Sequence, residues 1–284
     1  MRVLIRMSFY QFEPPLPFEQ EWNAQARRRS NRMDFGNIRL WEDDPDYPKF
    51  MSLVEKNKDA GLMLKASSRE TVYTHAELLA FDLLEVSFGG WIEASGEDSF
   101  DVVELCSGCR RSQLRQISDL VAKSTVDRRD ASFVFIDVPE CRSVAWAVSA
   151  RLRAFLEDQH LAGVTFRPVV AAARGKTDDV FQLIVSGTAP PLDSRTKVEV
   201  EACCPQCLNP LQIWQPRTSE TKDSELYFPK FDLEQSPMVR TREAFGSRFL
   251  VSDPNHHLVM SGPLYRRLAS AGFSGIAANP AHLV

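Results

Sequence analysis

The sequence predicts an α+β protein: a mixed amino-terminal region followed by two pseudo-repeated strand-helix-strand units, each led by a zinc-ribbon-like Cys-x-x-Cys knuckle. Three observations predict it. Two Cys-x-x-Cys pairs sit between stretches with strand character. Two distant segments share a capping serine, an apolar helical stripe and a closing glycine. The 284 residues are 44% apolar and 25% charged, enough to bury a sizeable core. That balance excludes a disordered chain, a collagen-like chain and a small disulfide scaffold.

The amino-terminal region reads in order as follows. Met1 to Phe12 alternates loosely between apolar and polar residues and predicts a strand. Glu13-Pro-Pro-Leu-Pro17 breaks it. Glu19 to Ser30 predicts a polar helix ending in Arg27-Arg-Arg29, and Phe35 to Trp41 a strand. Trp41-Glu-Asp-Asp-Pro-Asp-Tyr-Pro48 predicts a solvated acidic loop. Thr74-His-Ala-Glu77 has capping-box spacing and opens a helix through Leu78 and Leu79. Asp82 to Phe88, Gly89-Gly90 and Trp91 to Ala94 predict a hairpin with a two-residue turn. The expected divisions are 1–98, 99–192 and 193–284, whether as separate regions or parts of one compact body.

The cysteines carry the sharpest chemical signal. Of six, four form two pairs, Cys106-Ser-Gly-Cys109 and Cys204-Pro-Gln-Cys207. Two intervening residues let a tight turn aim both sulfurs at one ion, and two such turns supply the four thiolates of a tetrahedral structural zinc. Phe100 to Leu105 leads into the first pair and Val198 to Glu201 into the second, with Leu114 to Ile117 and Leu211 to Trp214 following. Each half reads as strand, knuckle, strand. Residues 110–203 separate the pairs, 94 positions against the 15–20 of a compact ribbon, so an intervening fold must bring the halves together. Buried free cysteines and a redox pair are the other readings of the same residues, although a redox pair normally opens a helix in a βαβ setting. Cys141 and Cys203 read as bystanders, with Cys203 able to replace Cys204 by a slip of register.

The two units match at several points. Val148-Ser149-Ala-Arg-Leu-Arg-Ala-Phe-Leu156 parallels Met260-Ser261-Gly-Pro-Leu-Tyr-Arg-Arg-Leu268, and Pro168 parallels Pro280, all 112 positions apart. Ser149 and Ser261 read as N-caps, and Pro263 as a first-turn residue whose missing N–H costs nothing. Leu152, Phe155 and Leu156 form one apolar stripe, and Leu264, Tyr265 and Leu268 the other. Gly272 ends the second helix, and strands resume near Val164 and Ile276. Phe133 to Asp137 is matched with Phe249 to Asp253, at an offset of 116.

No phosphate loop, nucleophile elbow or HExxH motif occurs, so no enzyme is expected. His256-His257 reads as an exposed turn, and His75 as a surface residue in a helix's first turn. No stretch approaches the roughly 20 apolar residues of a membrane span, and the start lacks a signal peptide's apolar run, so a soluble cytoplasmic protein is expected. A net charge of −4 disfavours nucleic acid as the main partner.

The two spaced Cys-x-x-Cys pairs, Phe249-Leu-Val-Ser-Asp253 and the terminal Met260-Ser-Gly-Pro-Leu264…Leu268…Gly272-Phe-Ser-Gly-Ile276 resemble the double-CXXCG-motif immunity proteins of bacterial toxin–immunity systems. Leu78 to Leu84 and Val148 to Pro168 extend the likeness, which covers mainly residues 75 to 284. Arg110 and Leu208 stand where the family has a glycine after each pair. The resemblance implies a non-catalytic cytoplasmic protein that binds a cognate toxin, with Cys106, Cys109, Cys204 and Cys207 holding a structural zinc. The alternatives are a zinc-ribbon nucleic-acid or regulatory adaptor and a thiol-redox enzyme.

Overall fold

A computed structural model of the chain describes residues 2–9, 17–26, 37–58, 62, 64–88, 90–95, 99–108, 111–122, 133–138, 143–171, 180–206, 210–214, 225–247, 255–273 and 275–284. Helices and many strands in curled sheets make it α+β. The chain divides into two compact units: Met1–Glu77 with Pro216–Ser224, and Leu78–Gln215 with Glu225–Val284. Among the described residues no helix is long and apolar enough to cross a membrane.

The first unit is a three-stranded antiparallel sheet with two helices. Strand β1 (Arg2–Phe9) lies between β2 (Asn37–Trp41) and β3 (Leu64–Val72), and α1 (Pro17–Gln25) and α2 (Tyr47–Lys58) complete the unit. The alternation of β1 turns Ile5, Met7 and Phe9 into the core and leaves Arg2 and Arg6 outside. Trp22 and Phe50 are fully buried and meet edge to face at 4.9 Å. The acidic stretch is not a solvated loop. Asp44 and Asp46 are 4% and 1% exposed. The Asp44 carboxylate accepts from the Asp46 backbone N–H at 2.9 Å, and the Asp44 carbonyl accepts from Tyr47 N–H at 2.9 Å. This is an Asx turn that starts α2, a helix with no counterpart in the sequence reading. Asp43 is exposed, and the paired hydrogen bonds from Arg2 hold its carboxyl below the ordinary range.

The capping box forms: Glu77 Oε2 accepts from Thr74 N–H at 2.8 Å, and Thr74 Oγ1 accepts from Glu77 N–H at 3.3 Å. The helix it opens, α3 (His75–Leu78), is a single turn that stops short of Leu79.

In the second unit the chain runs through β4 (Leu83–Phe88), β5 (Gly90–Ser95), β6 (Phe100–Cys106), β7 (Arg111–Gln116), β8 (Leu120–Ala122), β9 (Phe133–Val138), β10 (Ser143–Ser149), α4 (Ala150–Asp158), β11 (Val164–Ala171) and β12 (Val180–Val185). It continues through β13 (Glu199–Cys203), β14 (Pro210–Trp214), β15 (Leu226–Phe228), β16 (Met238–Ser247), β17 (Asn255–Ser261), α5 (Gly262–Ser270) and β18 (Ile276–Leu283). Six strands close a barrel in the order β10-β12-β11-β8-β5-β9. Seven form a sheet in the order β13-β14-β16-β17-β4-β18-β15, and β6-β7 is a separate hairpin. The expected hairpin over 82–94 is not one. Its strands part company, β4 pairing with β17 and β18, and β5 with β8 and β9.

The strand-helix-strand segments both form, and β17, α5 and β18 each begin 112 positions after β10, α4 and β11. Both expected caps are made: Ser149 Oγ accepts from Leu152 N–H at 3.3 Å and Ser261 Oγ from Leu264 N–H at 3.4 Å. Leu152 and Leu156 in α4, and Leu264, Tyr265 and Leu268 in α5, are buried as their spacing requires. Phe249 to Asp253 lies outside the described residues. The strand that pairs with β17 as β9 pairs with β10 is β16. The two helices also meet: Arg151 stacks over the Phe273 ring at 4.6 Å and donates to the Ala271 carbonyl at 2.6 Å, while Arg267 donates to Gln159 Oε1 at 2.6 Å.

Two backbone positions are demanding. His160 follows α4 with φ +50°, where Gly272 follows α5 with φ +71°. A left-handed residue with a Cβ is strained by about 1–2 kcal/mol, so His160→Gly should raise stability by about 1 kcal/mol in urea unfolding. Gly262 lies against the backbone of Phe81 and Asp82, and its N–H donates to the Asp82 carbonyl at 2.6 Å. A methyl group there overlaps the Phe81 carbonyl oxygen. Gly262→Ala should therefore lower the unfolding midpoint, by an amount equivalent to about 1–3 kcal/mol or more.

Candidate metal centre

Of the first Cys-x-x-Cys pair, Cys106, Ser107 and Gly108 lie at the end of the β6-β7 hairpin, and of the second, Cys204, Pro205 and Gln206 at the end of the β13-β14 hairpin. The register of β6-β7 breaks between Glu104 and Cys106, so Cys106 faces Arg111 where the strand ends. Cys203 faces Pro210 at the matching place, and Cys204 is the next residue out. Proline 210 and the cysteine turn explain why pairing stops there, since proline has no N–H to donate.

The two tips meet. Cys106 and Cys204 are 6% and 2% exposed, and their sulfurs lie 3.9 Å apart. The Gln206 amide donates to Ser107 Oγ at 3.3 Å, tying one turn to the other. Ser107, Gly108, Pro205 and Gln206 are exposed, so the turns are wet on the outside and the sulfurs dry within. Cys109 and Cys207 lie outside the described residues. Among the described residues no group of three or more His, Cys, Asp or Glu side chains is placed to hold a metal, with Cys106 and Cys204 the half of the expected set that falls within them.

The two sulfurs fit a metal. Four thiolates at about 2.3 Å from a tetrahedral zinc lie about 3.8 Å from one another, close to the separation of Cys106 and Cys204. A disulfide needs sulfurs at about 2.05 Å, and this pair is far from it. Burial also separates Cys204 from its neighbour. Cys203, the last residue of β13, is exposed, whereas Cys204, one position beyond the strand, is buried.

The histidines fall elsewhere than expected. His256 and His257 are not an exposed turn but strand residues of β17, partly buried. The His256 ring nitrogen Nδ1 is 2.7 Å from the Thr241 carbonyl, and His257 N–H donates to Thr241 Oγ1 at 3.0 Å. Thr241 is fully buried in the irregular stretch of β16 between Arg240 and Ala244. His257 Nδ1 lies 2.6 Å from Glu85 Oε1 without the alignment of a hydrogen bond. His282 Nε2 lies 2.6 Å from Glu225 Oε2, which also accepts from the Tyr227 hydroxyl at 3.2 Å, and the His282 and Tyr227 rings stack at 4.7 Å. Glu85 and Glu225 were invisible as partners in the sequence because their histidines are far along the chain. His75 is exposed, as its place in the first turn of α3 suggests.

The different exposures of the thiols are directly measurable. Under native conditions iodoacetamide should label Cys203 quickly and leave Cys106 and Cys204 unlabelled, as read by peptide mass spectrometry; equal labelling of Cys203 and Cys204 would contradict that difference.

A scan against protein-family models finds no match, and a search of curated proteins finds none either.

Proposed function

We propose that the chain is a non-catalytic binding protein whose two knuckles share one structural zinc, held by Cys106, Cys109, Cys204 and Cys207. The observation that carries this reading is the 3.9 Å separation of two buried sulfurs from hairpins far apart in sequence. Such a site fixes the scaffold and leaves no open position for a substrate, since a four-thiolate zinc is closed. It would hold the two hairpin tips together, and metal binding would then contribute to folding free energy. A reducing cytoplasm suits it, because the thiolates stay available there.

Within that reading, neutralisation of a cognate bacterial toxin by direct binding is the function we favour. It rests on the resemblance of the Cys-x-x-Cys pairs and the terminal segment to the double-CXXCG-motif immunity proteins. A stoichiometric binder needs a rigid surface and no reactive group, and an internal metal staple provides the first without the second.

Metal analysis tests the scaffold. Untagged protein should carry about one zinc per chain, and Cys106→Ser or Cys204→Ser should lose it together with several degrees of melting temperature, while Cys203→Ser keeps both. Protein without metal, whose melting is unchanged by chelator, would refute the site. Affinity capture from the native host tests the partner. A single stoichiometric protein supports the immunity reading, and bound nucleic acid counts against it.

A further inference from the structure

We propose that residues 78–171 and 180–284 are two copies of one folding unit that have exchanged their first strands within a single chain. The strand registers carry the argument. Strand β4 is inserted antiparallel between β17 and β18, with Leu84 opposite both Met260 and Pro280. Strand β12 is inserted antiparallel between β10 and β11, with Phe181 opposite both Val148 and Pro168. Met260 and Pro280 stand 112 positions after Val148 and Pro168, so the two insertions have one register.

The same correspondence continues on either side. After β4 the chain enters the barrel, where Trp91 pairs in parallel with Phe135 of β9. After β12 it leaves the barrel, and Thr188 makes a parallel bridge to Arg240 of β16. Phe135 lies opposite Trp146, and Arg240 opposite Leu258, again 112 positions on. A knuckle hairpin follows in each copy. Then β8 and β15 pair in parallel with β11 and β18, Val169 opposite Leu120 and Ala281 opposite Leu226. Gly163 and Gly275, both with positive φ, open β11 and β18.

Only one division leaves each copy with every element: one copy begins at β4 and the other at β12. Each first strand then lies in the other copy's sheet. An inserted central strand satisfies two ladders of backbone hydrogen bonds, so each copy is completed by the other. Cys106 and Cys204 are each the first cysteine of a Cys-x-x-Cys pair, one in each copy, although by strand register the residue matching Cys106 is Cys203; the contact of Cys106 with Cys204 lies between the copies. The exchange rests on the registers and stands whether or not zinc is bound.

Engineered disulfides distinguish exchanged from unexchanged strands in the full-length protein. Ser87 lies opposite Ala277, and Thr165 opposite Ile184. Without exchange Ser87 would face Thr165, and Ala277 would face Ile184. Ser87→Cys with Ala277→Cys, and Thr165→Cys with Ile184→Cys, should each close an intramolecular disulfide under mild oxidation, mapped by mass spectrometry. Ser87→Cys with Thr165→Cys should not close. Closure of that last pair, failure of the 87–277 pair, or bridges formed only between two molecules would overturn the proposal. Metal content measured on the same samples separates this result from that of the zinc site.

Discussion

The second unit depends on two inserted strands. Without β4, β17 and β18 would each lose a ladder at the middle of the seven-stranded sheet. Without β12, β10 and β11 would separate and the barrel would open. Buried backbone groups must be paired, so the positions of these strands are strongly determined once their neighbours exist. Leu83 and Leu84 are buried on opposite faces of β4, as expected for a strand covered on both sides. The core of the sheet, around Leu83, Val239, Val259 and Ala281, is assembled from segments that begin and end the unit.

Inserted strands explain how two knuckles separated by 94 residues reach each other. The β13-β14 hairpin is an edge of the seven-stranded sheet, and the separate β6-β7 hairpin starts at Phe100, which packs against the barrel core; their ends meet at Cys106 and Cys204. Loop-closure entropy grows only slowly with loop length, and here most of the intervening chain is ordered by its own contacts. The proposed zinc would then be bound by a nearly formed site, and its binding free energy would add to a fold that hydrophobic contacts already organise.

Polar contacts differ between the two inserted strands at the same register position. Glu85 in β4 lies against His257, whereas Gln182 in β12 exchanges two hydrogen bonds with Gln116, at 2.8 and 2.9 Å. The amide pair is satisfied on both sides without charge. The carboxylate instead has an imidazole beside it, in the part of the sheet where Phe245 packs against the ring at 4.3 Å. If the two segments are copies as proposed, matching strand positions carry different polar partners.

By itself the sequence determined what local rules govern. Serine caps at 149 and 261, the buried stripes of α4 and α5, the capping box at Thr74 and the hairpins around each Cys-x-x-Cys pair were all legible, because each depends on neighbours within a few residues. The mixed α+β class was legible for the same reason. Only the tertiary structure decided which strands pair. Alternation identifies the face of a strand but not its partner, so β4 and β5 read as a hairpin although they lie in different sheets. Tertiary contacts likewise turned Cys204 rather than Cys203 toward Cys106, set Glu85 and Glu225 beside their histidines, and buried Asp44 and Asp46 at the start of a helix. Each of these outcomes depends on contacts that come into range only after the chain has folded.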